Sequence, residues 1–169
     1  MADRLDLDRL RVRPRLDSDE VPEAGSPWDD WGFDERVGEV AVERFVVEVS
    51  QDDGSYAIVG DMSWHIVGYG PNRGSRALNI GISLAPNARG RGIGATAQRQ
   101  LAEHAFATTD IERVEASTDV ENVAEQRALE KAGFVREGVL RSAQARADGR
   151  HDLYVYSILR AEVEARPRT

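Results

Sequence analysis

Three glycines and two arginines fall within six residues, Arg89-Gly90-Arg91-Gly92-Ile93-Gly94. Glycine has no Cβ, so the backbone amides of such a run can close on an anion. The arginines add fixed positive charge. A helix starting here adds unpaired N–H groups and the positive end of its dipole. The chemistry this describes is a cradle for a pyrophosphate. A dinucleotide fingerprint needs G-x-G-x-x-G, and the spacing here is G-x-G-x-G. A triphosphate loop needs G-K-[ST], and the chain's one lysine, Lys131, lies elsewhere.

The elements that must position this loop follow from periodicity. Leu78, Ile80, Ile82 and Leu84 share one face of a strand at period two. After the loop, Ala97, Leu101 and Ala105 mark one stripe of a helix from about Gly94 to Phe106. A second strand is expected over Arg113–Thr118, then a helix over Asn122–Ala132 stopped by Gly133, a natural C′ residue. Leu7–Arg13 reads as an edge strand limited by Pro14. Val40–Val49 and Tyr56–Val67 read as paired strands about an Asp-Asp-Gly-Ser turn. Phe134–Ala147 and Leu153–Leu159 read as another antiparallel pair. Residues 161–169 read as a frayed tail. The pattern is α/β (α+β), with a mixed, mainly antiparallel sheet flanked by helices.

The 169 residues suit one domain with a sizeable core, 1–169. No apolar run approaches the roughly 20 residues of a membrane span, and the first residues lack a signal peptide's apolar stretch. A cytoplasmic location is the expectation. With no cysteine, thiol nucleophiles, disulfides and thiolate zinc sites are excluded. The three histidines show no ligand spacing, so no metal is expected. A net charge of −8 argues against nucleic acid and favours cationic partners.

Arg89-x-x-Gly92-x-Gly94 resembles the acetyl-CoA loop of the GNAT superfamily of N-acetyltransferases. The resemblance continues through Asn122 to Glu130-Lys131-x-Gly133-Phe134, and Arg136-Glu137-Gly138 is similar to the branch that acetylates ribosomal-protein N-termini. It covers residues 56–160 well and 8–16 weakly. It implies a splayed sheet with acetyl-CoA, a co-substrate, between the two central strands. Arg89, Gly90, Arg91, Gly92, Ile93, Gly94 and Ala95 would then hold the pyrophosphate. Ile82, Ser83 and Leu84 would pair with the pantetheine arm, a backbone N–H near Ser83 polarising the thioester. Asn122 and Arg127 would also face the cofactor. A homodimer is common in the family but has no signature here.

The implied reaction is direct attack of a primary amine, either a protein α-amine or a small molecule. A non-catalytic acetyl-CoA-binding module is the alternative. Glu115 matches a strand glutamate and is the candidate base, although it could instead pair with Arg113 or Arg141. Glu43 and His65 are weaker bases. The branch often has serine at position 125 to protonate the leaving thiolate, and other members have tyrosine at position 129. Here Glu125 and Leu129 occupy those positions, and Tyr154 or Tyr156 could substitute. Asn122 and Glu125 also suit a helix capping box. Residues 17–35 are acidic, with Trp28, Asp29, Asp30 and Trp31 dense enough to bind an amine by charge and cation–π contact, or equally to form a solvated loop over the core.

Overall fold

The computed structural model describes residues 9–31 and 40–165. The sequence expectations at Leu7, Asp8, residues 32–39 and 166–169 lie outside these. Among the described residues seven strands run β1 (Leu10–Pro14), β2 (Glu43–Ser50), β3 (Tyr56–Gly68), β4 (Arg76–Leu84), β5 (Arg113–Asp119), β6 (Val135–Arg146) and β7 (Gly149–Leu159). They form one sheet in the order β1-β2-β3-β4-β5-β7-β6. Every pairing is antiparallel except β4 with β5. Helices α1 (Ile93–Thr108), α2 (Val123–Ala132) and α3 (Arg160–Glu164) complete it.

Helix α1 buries the stripe expected of it. Ala97, Leu101, Ala102 and Ala105 are wholly covered against Met62, Trp64, Leu78, Ile80 and Val114 of the sheet. A leucine covered as fully as Leu101 contributes about 1.5–3 kcal/mol. The α1-facing side of the central strands is mostly apolar. The opposite side, reached at every second residue, carries Asp61, Ser63, His65, Asn79, Glu115, Ser117 and Asp119.

The decisive feature is how little β4 and β5 touch. Their parallel pairing has two rungs, Leu78–Val114 and Asn79–Glu115. Beyond them each strand follows its outer neighbour. β4 stays with β3 as far as Leu84, and β5 stays with β7 as far as Asp119. A bulge between Val47 and Glu48 lies opposite β3 near Gly60 and increases local twist there. Gly60 lets β3 press close on β4. A Cβ at that position would overlap the Ser83 carbonyl oxygen. The central strands therefore diverge towards Leu84 and Asp119, the splay the resemblance implied.

The carboxyl end departs from the frayed reading. Residues 160–164 are helical, and the Arg160 guanidinium donates to the carbonyls of Phe106 (2.6 Å), Thr109 (2.9 Å) and Ile111 (2.7 Å). Composition shows a charged tail. These long-range acceptors, fixed only by the end of α1, are what order it.

Candidate active site between the diverging strands

The loop between β4 and α1 begins with a 3₁₀ turn, Pro86–Ala88, anchored by buried Ala88. Gly90 and Gly92 then take φ of 71° and 84°. That left-handed region costs other L-residues about 1–2 kcal/mol. Gly92 is the N-cap of α1, and no side chain caps the helix. The first bond of the helix ladder runs from Thr96 N to Gly92 O at 3.2 Å. The N–H groups of Ile93, Gly94 and Ala95 therefore stay outside it and point out of the helix start. Arg91 is exposed. Arg89 turns back, donating through Nε to the Leu84 carbonyl (3.0 Å) and through its other arm to the Ala24 carbonyl. It pins the 17–31 segment beside the loop.

Between the parting strands lies a cavity of about 420 Å³. On its α-helical side it is lined by Ile80, Ile82, Gln98, Asn122 and Glu125. Asn122 is the N-cap of α2, its side chain accepting from Glu125 N at 3.2 Å. The other half of the expected capping box is not made. The Glu125 carboxyl turns inward and accepts from Gln98 Nε2. Burial is the dominant influence on this carboxyl and pushes it up to about 7, with only the Gln98 bond opposing. Gln98 is 1% exposed, and its Oε1 has no partner among the described residues.

On its other side the cavity is lined by Ser26, Trp28, Asp29, Trp31, Ser63, His65, Ser117 and Arg146. Asp119, at the end of β5, organises this side. It is almost fully buried and accepts from Arg146 (2.7 Å), His151 (2.8 Å) and Glu121 N (2.7 Å). The Arg146 guanidinium lies over the Trp28 ring at 5.7 Å, and Ala147 N donates to the Asp30 carbonyl at 3.1 Å. Burial also raises the Asp61 carboxyl. His151 is raised, chiefly by its bond to Asp148.

The structure brings Ile82, Asn122, Trp28, Asp29 and Trp31 to one cavity. Asp30 is not among its lining residues, its carbonyl accepting from Ala147 N, and Arg127 is exposed on α2. Ser83 and Leu84 lie just past the lining residues, Leu84 close to Gly94. Tyr154 sits outside the cavity, with Arg136 over its ring at 4.6 Å, and Tyr156 is buried in the core. Glu115 accepts from Tyr69 Oη (2.6 Å) and Arg113 Nε (3.1 Å), so the pairing with Arg113 is the one formed. The exposed ring of His104 stacks on Trp64 at 5.7 Å. Among the described residues no cluster of three histidines or acids could hold a metal. Gln98, Asp119 and Arg146 carry no local sequence signal, since each acquires its role from a distant element.

Residues 5–135 match the family model of the acetyltransferase (GNAT) domain. The chain belongs to this family. An uncharacterized N-acetyltransferase p20 from Bacillus licheniformis is 28% identical over 120 residues, 70% of this chain and 63% of that protein. The chain thus spans less than two thirds of that relative. Among solved structures, Mycobacterium smegmatis RimJ in complex with CoA-disulfide is 27% identical with a TM-score of 0.61, covering 72% of this chain and 54% of RimJ. The spermidine N-acetyltransferase of Vibrio cholerae, in complex with CoA and spermine, covers 93% of this chain and 99% of its own at 21% identity and a TM-score of 0.71. That likeness is one of fold. The splay, the glycine loop and the N-capped α2 are this chain's version of the GNAT frame.

Proposed function

We propose that this protein transfers an acetyl group from acetyl-CoA to a primary amine. One observation carries the reading. The β4 edge left unpaired beyond Asn79 and the half-buried Glu125 carboxyl line one cavity, and the free amides at the start of α1 stand just past it, where a Cβ on Gly94 would lie 3.7 Å from Leu84. The loop fits an anionic pyrophosphate. A Cβ at Gly90 would meet open space, so the loop stands clear of its own protein. Backbone N–H groups of Gly90–Ala95 would hold the phosphates, Arg91 would add charge, and the β4 edge at Ile82–Leu84 would receive the amide-bearing arm. Two solved relatives carry coenzyme A, which supports this assignment. Acetyl-CoA supplies the activated acetyl group.

The chain's own residues handle orientation and protons. The ammonium would be met within the cavity by its Trp28–Trp31 wall, where Asp29 and the two rings attract a cation. Glu125, protonated near neutral pH and lying on the cofactor side, donates a proton to the departing sulfur. Glu115, held by Arg113 and Tyr69, orients the base of the splay. Calorimetric titration with acetyl-CoA and coenzyme A, followed by thiol release in the presence of an amine panel, tests the reading. Binding with turnover supports it. Binding without turnover on any amine assigns a binding module instead, and no binding withdraws the reading.

A further inference from the structure

The sheet face away from α1 and α2 carries a second cavity, of about 830 Å³, to which the acetyl-transfer reading gives no role. It lies between the β3–β4 connection and β6. Asn79 and Ser117 line both cavities, so the two adjoin where β4 and β5 part. The volume is that of a site for a small organic molecule.

The large apolar part of its lining is Val67, Tyr69, Val139, Leu140 and Val155, beside the charged Arg76, Glu112, Arg113, Glu115 and Glu137. Tyr69, Val139 and Leu140 are 63%, 49% and 48% exposed. Apolar side chains gathered around a concavity, held open to water and adjoining a candidate active site, are surface kept for a ligand.

The charges argue the same way. Three carboxylates border the cavity, and two guanidinia bond them, Arg113 being shared by Glu115 and Glu137. Arg113 bonds Glu115 at 3.1 Å and grips Glu137 with both arms, at 2.7 and 2.5 Å. Arg160 bonds Glu112 at 3.1 Å. Arg113 holds the Glu137 carboxyl down to about 2, so this pairing persists across physiological pH. Arg76, also at the rim, is paired with Asp110 at 3.0 Å. Each bordering carboxylate is already bonded to an arginine. A polycation would have to displace arginines from their partners, and an uncharged body displaces only water.

We propose that this second cavity binds the non-reacting part of the acceptor, and that the acceptor is a monoamine with an uncharged apolar body, such as an arylalkylamine. Its amino group would pass Asn79 and Ser117 into the first cavity. The word acceptor rests on the acetyl-transfer reading; the binding site does not.

The probe is 2-phenylethylamine, with spermidine as the contrast, added to the full chain saturated with coenzyme A. Methyl resonances of Val139, Leu140 and Val155 report binding without turnover. Shifts at all three with 2-phenylethylamine, and not with spermidine, are expected. In a thiol-release assay 2-phenylethylamine should exceed spermidine in kcat/KM by about tenfold or more, the scale of one apolar contact. Leu140→Asp on exposed β6 should raise its KM about tenfold and leave coenzyme A affinity unchanged. Val139→Asp provides a second variant if the first fails to fold. Absent methyl shifts at millimolar probe, or preference for spermidine, overturn the proposal. Shifts without acetylation of any amine leave the binding site standing and remove the acetyl-transfer reading. Acetylation without shifts does the reverse.

Discussion

Glu125→Gln separates the buried-acid argument from a merely structural glutamate. The carboxyl moves from an ordinary 4.5 to about 7 on folding, because burial penalises its charge. At 1.36 kcal/mol per pH unit this amounts to about 3 kcal/mol. The sign follows from where each state binds the proton. Below pH 4.5 both states are protonated and the group costs nothing. As pH rises towards 7 the unfolded chain ionises and the folded chain does not, so stability falls. Above 7 the full penalty stands. Glutamine keeps the shape and the bond to Gln98 but cannot ionise. The variant should therefore be about 3 kcal/mol more stable at pH 8, raising Tm by about 6–12 °C, and gain under about 1 kcal/mol at pH 5. Scanning calorimetry at both values measures this. Turnover should move the opposite way: kcat should fall about 100-fold, and the limb on which wild-type rate declines above pH 7 should vanish. An equal Tm change at both pH values, or a loss of stability at pH 8, refutes the buried-acid reasoning. A retained kcat with an unchanged profile removes its catalytic role.

Three other perturbations probe the frame around it. Gly92→Ala forces a Cβ into φ 84° and distorts the helix start; coenzyme A affinity, read by calorimetry, should fall about tenfold, whereas Gly94→Ala, whose Cβ would sit 3.7 Å from Leu84, should fold normally. Gly60→Ala drives a Cβ onto the Ser83 carbonyl and should destabilise by about 2–3 kcal/mol in urea titration. Asp119→Asn strips the buried partner of Arg146; about 3–5 kcal/mol should be lost, and fluorescence of Trp28 beneath that guanidinium should change in the folded state.

The legible part of this protein is the part that is local in sequence. β4, the glycine loop and α1 occupy one continuous stretch, and each signal within it is a nearest-neighbour effect: alternation, missing Cβ atoms, then a 3.6-residue stripe. Asn122 and Gly133 likewise announce α2 by terminal chemistry alone, and both hold their expected places. Strand ends shifted by one to four residues where pairing, rather than side-chain type, decides them, the largest shift being β7, which starts at Gly149 and not Leu153. β2, for instance, starts at Glu43 because that is where it meets Trp64 of β3. The helical turn at 160–164 was not legible because Arg160 finds its acceptors some 50 positions earlier in the chain.

Glu125 shows why the rest was hidden. From sequence, an N-x-x-E pair at a helix start has a sufficient local explanation, and the backbone half of the capping box does form. The carboxyl has a choice between the Asn122 amide, one turn back, and Gln98, 27 residues away. It takes the second because α1 and α2 pack against each other and close the space over it. That packing exists because β4 and β5 diverge below, a property of two strands with different outer partners. No window of sequence contains all three facts. The acidic lip follows the same logic. Trp28 and Asp29 are recognisable as residues that could meet an amine, but what aims them at the cleft is Arg146 on β6, Ala147 beyond it and Arg89 at the cradle. The cofactor side is thus written along the chain, and the acceptor side across it. For that reason a loop motif can assign the donor, while the acceptor has to be read from the walls of the cavities.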